Sequence, residues 1–266
     1  MKQYAFFHPF WMSFYSGDLY RDVAYNWRGL ALGTLILVTA FSSVLLTIVF
    51  YQAQVLPYLE EIAPKMIRQL PLIYLRDGIA ETPQAKRYEI FDEDLDKMIA
   101  VIDTSVDDIP SDLGGAANLF IGRQSYGVKL LEEQEMREIK FVQGKSFDID
   151  QELCFKMLDA FSFWVRPFSF VLIMSLLLFY RMIQLLFMSL GGYIVAKIHQ
   201  MNLGYFAVLR ITLVACIPAF LVDSIVGFYE ITHLLTQLFI FSLFGFYIVY
   251  GFAQVRKPIS SGDRYE

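Results

Sequence analysis

The sequence predicts an α-helical membrane protein: a four-helix transmembrane bundle with a small extracytoplasmic α+β domain inserted between spans 1 and 2. Two observations predict it. Four apolar stretches are each long enough to cross a bilayer, and the acidic residues gather in one segment between the first and the second. The 266 residues are 56% hydrophobic and 17% aromatic with 18% charged, values of a chain that uses lipid as part of its solvent. Between Tyr51 and Ala160 stand 21 acidic and 12 basic residues, a net of −9, whereas the remainder carries 6 and 10, a net of +4. The overall charge of −5 therefore describes neither part. An acidic domain on a basic membrane part argues against nucleic acid and anionic headgroups as its partners. The partners it implies are the bilayer itself and a membrane or extracytoplasmic protein.

A span needs roughly 20 apolar residues at about 1.5 Å each to cover a hydrocarbon core of ~30 Å. Residues 29–51 meet this without a charge. Residues 165–196 exceed it and contain Arg181; they are too few for two spans, so one long helix is expected, its end past Gly191 and Gly192 projecting toward the headgroups. Residues 206–227 contain Pro218 and Asp223, and residues 231–253 begin near His233. Residues 52–160 form the inserted domain and 254–266 a tail. The apolar run starts only at Gly29 and no suitable cleavage site follows, so span 1 reads as an uncleaved anchor.

Basic residues near short loops set the orientation. Arg21 and Arg28 precede span 1, Lys197 and Arg210 bracket the loop between spans 2 and 3, and Arg256, Lys257 and Arg264 follow span 4. The loop between spans 3 and 4 holds Glu230 and no base. Both termini are thus expected in the cytoplasm and residues 52–160 outside it. Residues 1–28 are dense in rings, among them Phe7, Trp11, Tyr20 and Trp27. Two readings stand: a helix lying in the interface, or one packed against the bundle.

In the inserted domain, a helical continuation of span 1 runs to Gln69, interrupted or bent at Pro57 and Pro64. Leu72 to Leu75 followed by Arg76-Asp77-Gly78 reads as a strand entering a turn, Gly78 supplying positive φ. Lys97 to Ile102 is an apolar strand ending at Asp103. Shorter alternating runs over 118–131 and 137–142 bring the expectation to four to six strands, and Asp150 is a fitting N-cap for a helix entering span 2. Leu70-Pro71 through Asp77-Gly78, then Val101-Ile102-Asp103-Thr104, between a first span and a three-span remainder, resembles the bacterial family of unknown function 1189. Ser13-Phe14-Tyr15-Ser16 and Leu19-Tyr20 are similar to that family too. The resemblance covers nearly the whole chain and makes Asp77, Gly78 and Asp103 family-motif residues. It implies a bacterial inner membrane, kinship with Yip-type multispan proteins and, for some members, a link to maltodextrin utilisation. It brings no catalytic residues.

The sharpest chemical observation is Arg181 with Asp223. Arg181 lies 16 residues before Lys197 and Asp223 lies 13 after Arg210, so both sit about 20–24 Å from the cytoplasmic anchors at ~1.5 Å per residue. A charge at membrane depth costs on the order of 2.5–3.5 kcal/mol, so the two are expected to pair. The pair is either a polar substrate site or an ion pair that fixes helix register. Thr212, Cys216, Ala219, Asp223 and Gly227 form one small or polar stripe of span 3, and Gly29, Gly33, Ala40, Ser43 and Thr47 one of span 1. Asp92-Glu93-Asp94 with Asp96 fails the calcium-loop pattern, because Lys97 and Asp103 occupy its sixth and twelfth places. No metal and no cofactor is expected. Cys154 and Cys216 are not expected to form a disulfide.

The three histidines, His8, His199 and His233, lie outside the inserted domain. That inventory excludes a histidine triad or a His-rich zinc site there, and the chain holds no phosphate loop and no Gly-x-Ser-x-Gly elbow. The expected function is non-enzymatic: a sensing, binding or accessory component of the membrane. The alternatives are a solute-transport component using Arg181 and Asp223, and a membrane enzyme acting on lipid or glycan.

Overall fold

The computed structural model describes residues 3–92, 96–107, 110, 117–129, 136–144, 146–229 and 234–256. Glu230, Lys257 and Arg264, used for the orientation, His233 at the expected start of span 4, and Glu93 and Asp94 of the acidic run lie outside them. The chain divides into two compact units, one of residues 1–50 with 166–266 and one of residues 51–165. Four helices are long and apolar enough to cross a membrane.

The helical unit contains α1 (Pro9–Met12), α2 (Gly17–Tyr25), α3 (Leu32–Phe50), the later part of α5 (Gln151–Ile198), α6 (Tyr205–Phe228) and α7 (Leu234–Arg256). Gly29 and Ala31 adopt positive φ, a conformation that cannot continue a right-handed helix, so α3 starts three residues later than the apolar run. α6 is the central element: 78% of its most apolar stretch is buried, against 33% for α7 and 11% for α5. Its Val208, Ile211, Val214 and Phe220 are fully covered, and α2, α3 and α7 pack around it. Pro218 lies inside α6 without ending it.

The amino-terminal segment packs against the bundle through α2 and leaves several of its rings uncovered. Leu19, Tyr20 and Val23 of α2 are fully buried in the same core as α6 and α7, whereas Phe6, Phe7, Trp11, Phe14 and Tyr15 remain exposed. The stripe expected on span 1 holds at Ser43, which is buried, with Ala40 and Thr47 half-buried, but not at its start: Gly29 and Gly33 are exposed, and Leu35, Val38, Thr39 and Ser42 are buried as well. Ser42 and Ser224 hydroxyls meet at 2.5 Å, tying α3 to α6. The stripe on α6 holds at Thr212, Cys216 and Ala219, which are fully buried.

Gly192 sits in helix packing near the end of α5. It is buried, and a Cβ there would run into Thr212 Oγ1 and lie 3.0 Å from the Phe252 ring. Glycine lets α5 approach α6 and α7 at this point. Gly192→Ala is expected to lower stability by roughly 1–3 kcal/mol through overpacking, read as a lower melting temperature in detergent. Adding Thr212→Ala should recover part of the loss, because that hydroxyl is buried without a hydrogen-bond partner among the described residues.

In the second unit, helical backbone continues to Gln69, and the two prolines mark its irregularity. Tyr51–Val55 and Tyr58–Ile62 are π-helical, followed by α4 (Ala63–Gln69). A proline ring clashes with the carbonyl four residues earlier, here Ala53 and Glu60, and both lie inside the widened turns. Eight described strands, more than expected, form two sheets: β1 (Ile73–Arg76), β2 (Ile79–Glu81), β3 (Tyr88–Asp92), β4 (Lys97–Ile102), β5 (Leu119–Ile121), β6 (Ser125–Val128), β7 (Arg137–Lys140) and β8 (Ser146–Ile149). One sheet has the order β2-β1-β8, the other β3-β4-β5-β6-β7 with β4 and β5 parallel. Ile73, Leu75 and Ala80 of the first pack on Ile90, Ala100 and Ile102 of the second, which gives the unit its core. Asp150 caps α5 by accepting the Leu153 N–H at 2.7 Å.

Candidate functional site

Arg181 and Asp223, 42 residues apart on α5 and α6, come together. Arg181 Nη2 donates to Asp223 Oδ2 at 2.7 Å, and Nη1 donates to Gln184 Oε1 at 3.1 Å. The guanidinium carbon lies 4.1 Å from the centroid of the Phe220 ring, one turn before Asp223 on α6, so the ring face covers the cation. The partners differ in exposure: the Arg181 side chain is 4% exposed and that of Asp223 34%. The cation is buried in helix packing, and the carboxylate reaches an opening.

That opening is a cavity of about 350 Å³ among α5, α6 and α7, lined in part by Tyr180, Gln184, Asp223, Gln237, Phe241 and Phe244. Phe244 is buried at its floor, while Tyr180 and Phe241 are more than half exposed at its rim. Among the described residues, Asp223 Oδ1, the Tyr180 hydroxyl and both polar atoms of the Gln237 amide have no hydrogen-bond partner, and the Gln184 amino group has none either. An apolar helix unit that lines one cavity with a carboxylate, a phenol and two amide side chains offers a polar ligand several contacts at once. Gln184 was missed, although its place one helical turn after Arg181 is the signal that could have found it; Gln237 and Tyr180 were missed too, since a lone amide or phenol in an apolar run carries no partner in the sequence.

A second buried polar cluster fixes α2. Asp22 is buried and accepts hydrogen bonds from the Gln3 and Tyr4 N–H groups, from Asn26 Nδ2 at 2.8 Å and from Trp27 Nε1 at 2.8 Å. Burial pushes its pKa up, but these donors outweigh burial and hold it below the ordinary carboxylate value. Arg210 corrects its role as a plain headgroup anchor. It is buried on α6 and donates to the carbonyls of Val23, Ala24 and Gly29, so it closes the carboxyl end of α2.

The family-motif residues build turns in the other unit. Asp77 and Gly78 take φ of 49° and 80° between β1 and β2, the two-residue hairpin turn that Asp-Gly favours. Asp77 Oδ1 also accepts the Gly144 N–H at 2.8 Å. Asp103 Oδ1 accepts the Ser105 N–H and hydroxyl, closing the chain after β4. These carboxylates are engaged with backbone and a hydroxyl as turn-formers. Cys154 and Cys216 are free thiols in different units. Burial first, then the Asp150 charge, raise the Cys154 pKa, which makes it a poor nucleophile at neutral pH. Among the described residues no three His, Cys, Asp or Glu side chains are grouped to hold a metal ion.

No curated protein and no solved structure matches the chain. A family model described as a protein of unknown function (DUF1189) matches residues 7–253, nearly the whole length and across both units. The chain belongs to that family.

Proposed function

We propose that this protein is a non-enzymatic, multispan component of the bacterial cytoplasmic membrane that binds a small polar ligand in the cavity beside Asp223. Both termini face the cytoplasm and residues 52–160 lie on the other side, a surface for a protein partner. The observation that carries the binding role is that Asp223, Tyr180, Gln184 and Gln237, with polar atoms unpartnered among the described residues, line one cavity of about 350 Å³. Polar groups left without partners in an apolar setting each cost free energy, and a ligand or ordered water that meets them recovers it. The basic residues around the short loops support the orientation.

A photoreactive benzoylphenylalanine at Phe241, on the cavity rim, tests the role in native membranes. A small-molecule adduct on the full chain, reduced by Asp223→Asn, is the expected result; an adduct-free chain would overturn it. The orientation has its own check. A cysteine replacing Ser105 should react with a membrane-impermeant maleimide added to intact cells, and protection of that site until the cells are opened would reverse the assignment.

A further inference from the structure

We infer that the ligand of this cavity is a primary ammonium group, delivered by the headgroup of an aminophospholipid that enters sideways from the bilayer. This rests on the binding role proposed above and names its ligand. The charge available to a ligand is negative. Arg181 spends its guanidinium on Asp223, Gln184 and the Phe220 ring and is almost fully buried, so an incoming group does not meet the cation. The polar residues that line the cavity are Asp223, whose second oxygen has no partner among the described residues, with Tyr180, Gln184 and Gln237.

A primary ammonium has three N–H donors in a compact charge. The carboxylate oxygen, the Gln237 carbonyl and the Tyr180 oxygen are acceptors of that kind, and the Gln184 and Gln237 amino groups remain to donate to a phosphate behind it. A quaternary ammonium carries the same charge without the donors. The entrance points to lipid: Tyr180, Leu238 and Phe241 at the rim are more than half exposed, on helices whose neighbouring outward residues Phe179, Leu176, Leu235 and Phe239 are exposed and apolar as well. A headgroup is held at the carboxylate while its chains lie along these side chains. The volume suits a headgroup and is too small for a whole lipid.

The same chemistry can come from a free amine, so the test separates the two sources. The full chain, delipidated in mild detergent, is titrated with phosphatidylethanolamine, phosphatidylcholine and phosphatidylglycerol of identical chains and followed by native mass spectrometry. Phosphatidylethanolamine should be retained at least about fivefold better than either of the others. Gln237→Leu, which leaves the ion pair in place, should bring the three toward equality, and so should the double neutral variant Arg181→Gln with Asp223→Asn, which leaves no unpaired charge. Equal retention on the wild-type chain, or a preference that survives both variants, overturns the inference. Free ethanolamine at the lipid's concentration should not displace it; displacement would overturn the lipid source. Photo-capture of some other molecule at residue 241, without this lipid preference, would sink the ammonium ligand and leave the binding role standing, whereas absence of both would end both.

Discussion

Asp223→Leu should destabilise the helical unit by about 3 kcal/mol, and Arg181→Met by clearly less. The asymmetry follows from burial. Removing the carboxylate strands a guanidinium that is 4% exposed, whereas removing the guanidinium leaves a carboxylate that is already 34% exposed and can find water. Breaking a buried pair from one side typically costs about 3–5 kcal/mol, and replacing both partners with apolar groups is often near neutral. The double variant Arg181→Met with Asp223→Leu should therefore recover most of the loss. Melting temperatures of the four proteins in one detergent give the cycle, and equal costs for the two single variants with no recovery in the double would show that the pair is not coupled.

Arg210→Leu should be similarly severe, at about 3 kcal/mol, for a different reason. The carbonyls of Val23, Ala24 and Gly29 lose their donor at once, and the two buried ones, of Val23 and Ala24, each cost about 1–3 kcal/mol when left alone. Lysine at 210 keeps the charge but lacks the planar fork that reaches three carbonyls, so it should rescue only in part. The partner cluster adds a pH dependence. Asp22 has a folded pKa below its ordinary value, so its stabilisation is complete above about pH 4 and is lost as pH falls through the depressed value. Amide exchange at Gln3 and Tyr4, whose N–H groups bind this carboxylate, should accelerate below about pH 4 in the wild-type chain and lose that dependence in Asp22→Asn. Unchanged acid sensitivity in the variant would place the titrating group elsewhere.

Why some of this was legible in the sequence and some was not has physical causes. Length and apolarity identify spans because a helix rises by a fixed amount per residue, and depth counted along two antiparallel spans brought Arg181 opposite Asp223. The Asp77-Gly78 turn and the Asp150 cap were readable because each is a local backbone requirement met by few residue types. The buried face of span 1 was read at Ser43 but misread at its start, because in lipid both faces are apolar and small residues are a weak guide to which side packs; Gly33 is exposed while Leu35 is buried. The eight strands exceed the expectation because the run over 118–131 divides into β5 and β6 and because β2, only three residues long, is too short to display an alternating pattern. Arg210 looked like an anchor because a basic residue near a loop usually is one, and the carbonyls it binds belong to a segment some 180 residues away in the chain. Gln237 joins the site only through the packing of α7.

The site stands on α5 and α6 meeting at Arg181 and Asp223. Cysteines placed at 181 and 223, in a chain with Cys154 and Cys216 replaced by alanine, test this in the native membrane with a short bifunctional thiol reagent. Rapid cross-linking of that pair is the predicted result, with little for cysteines at 179 and 223, since Phe179 points to the exposed side of α5. Faster reaction of the 179 pair, or none at 181, would contradict the site.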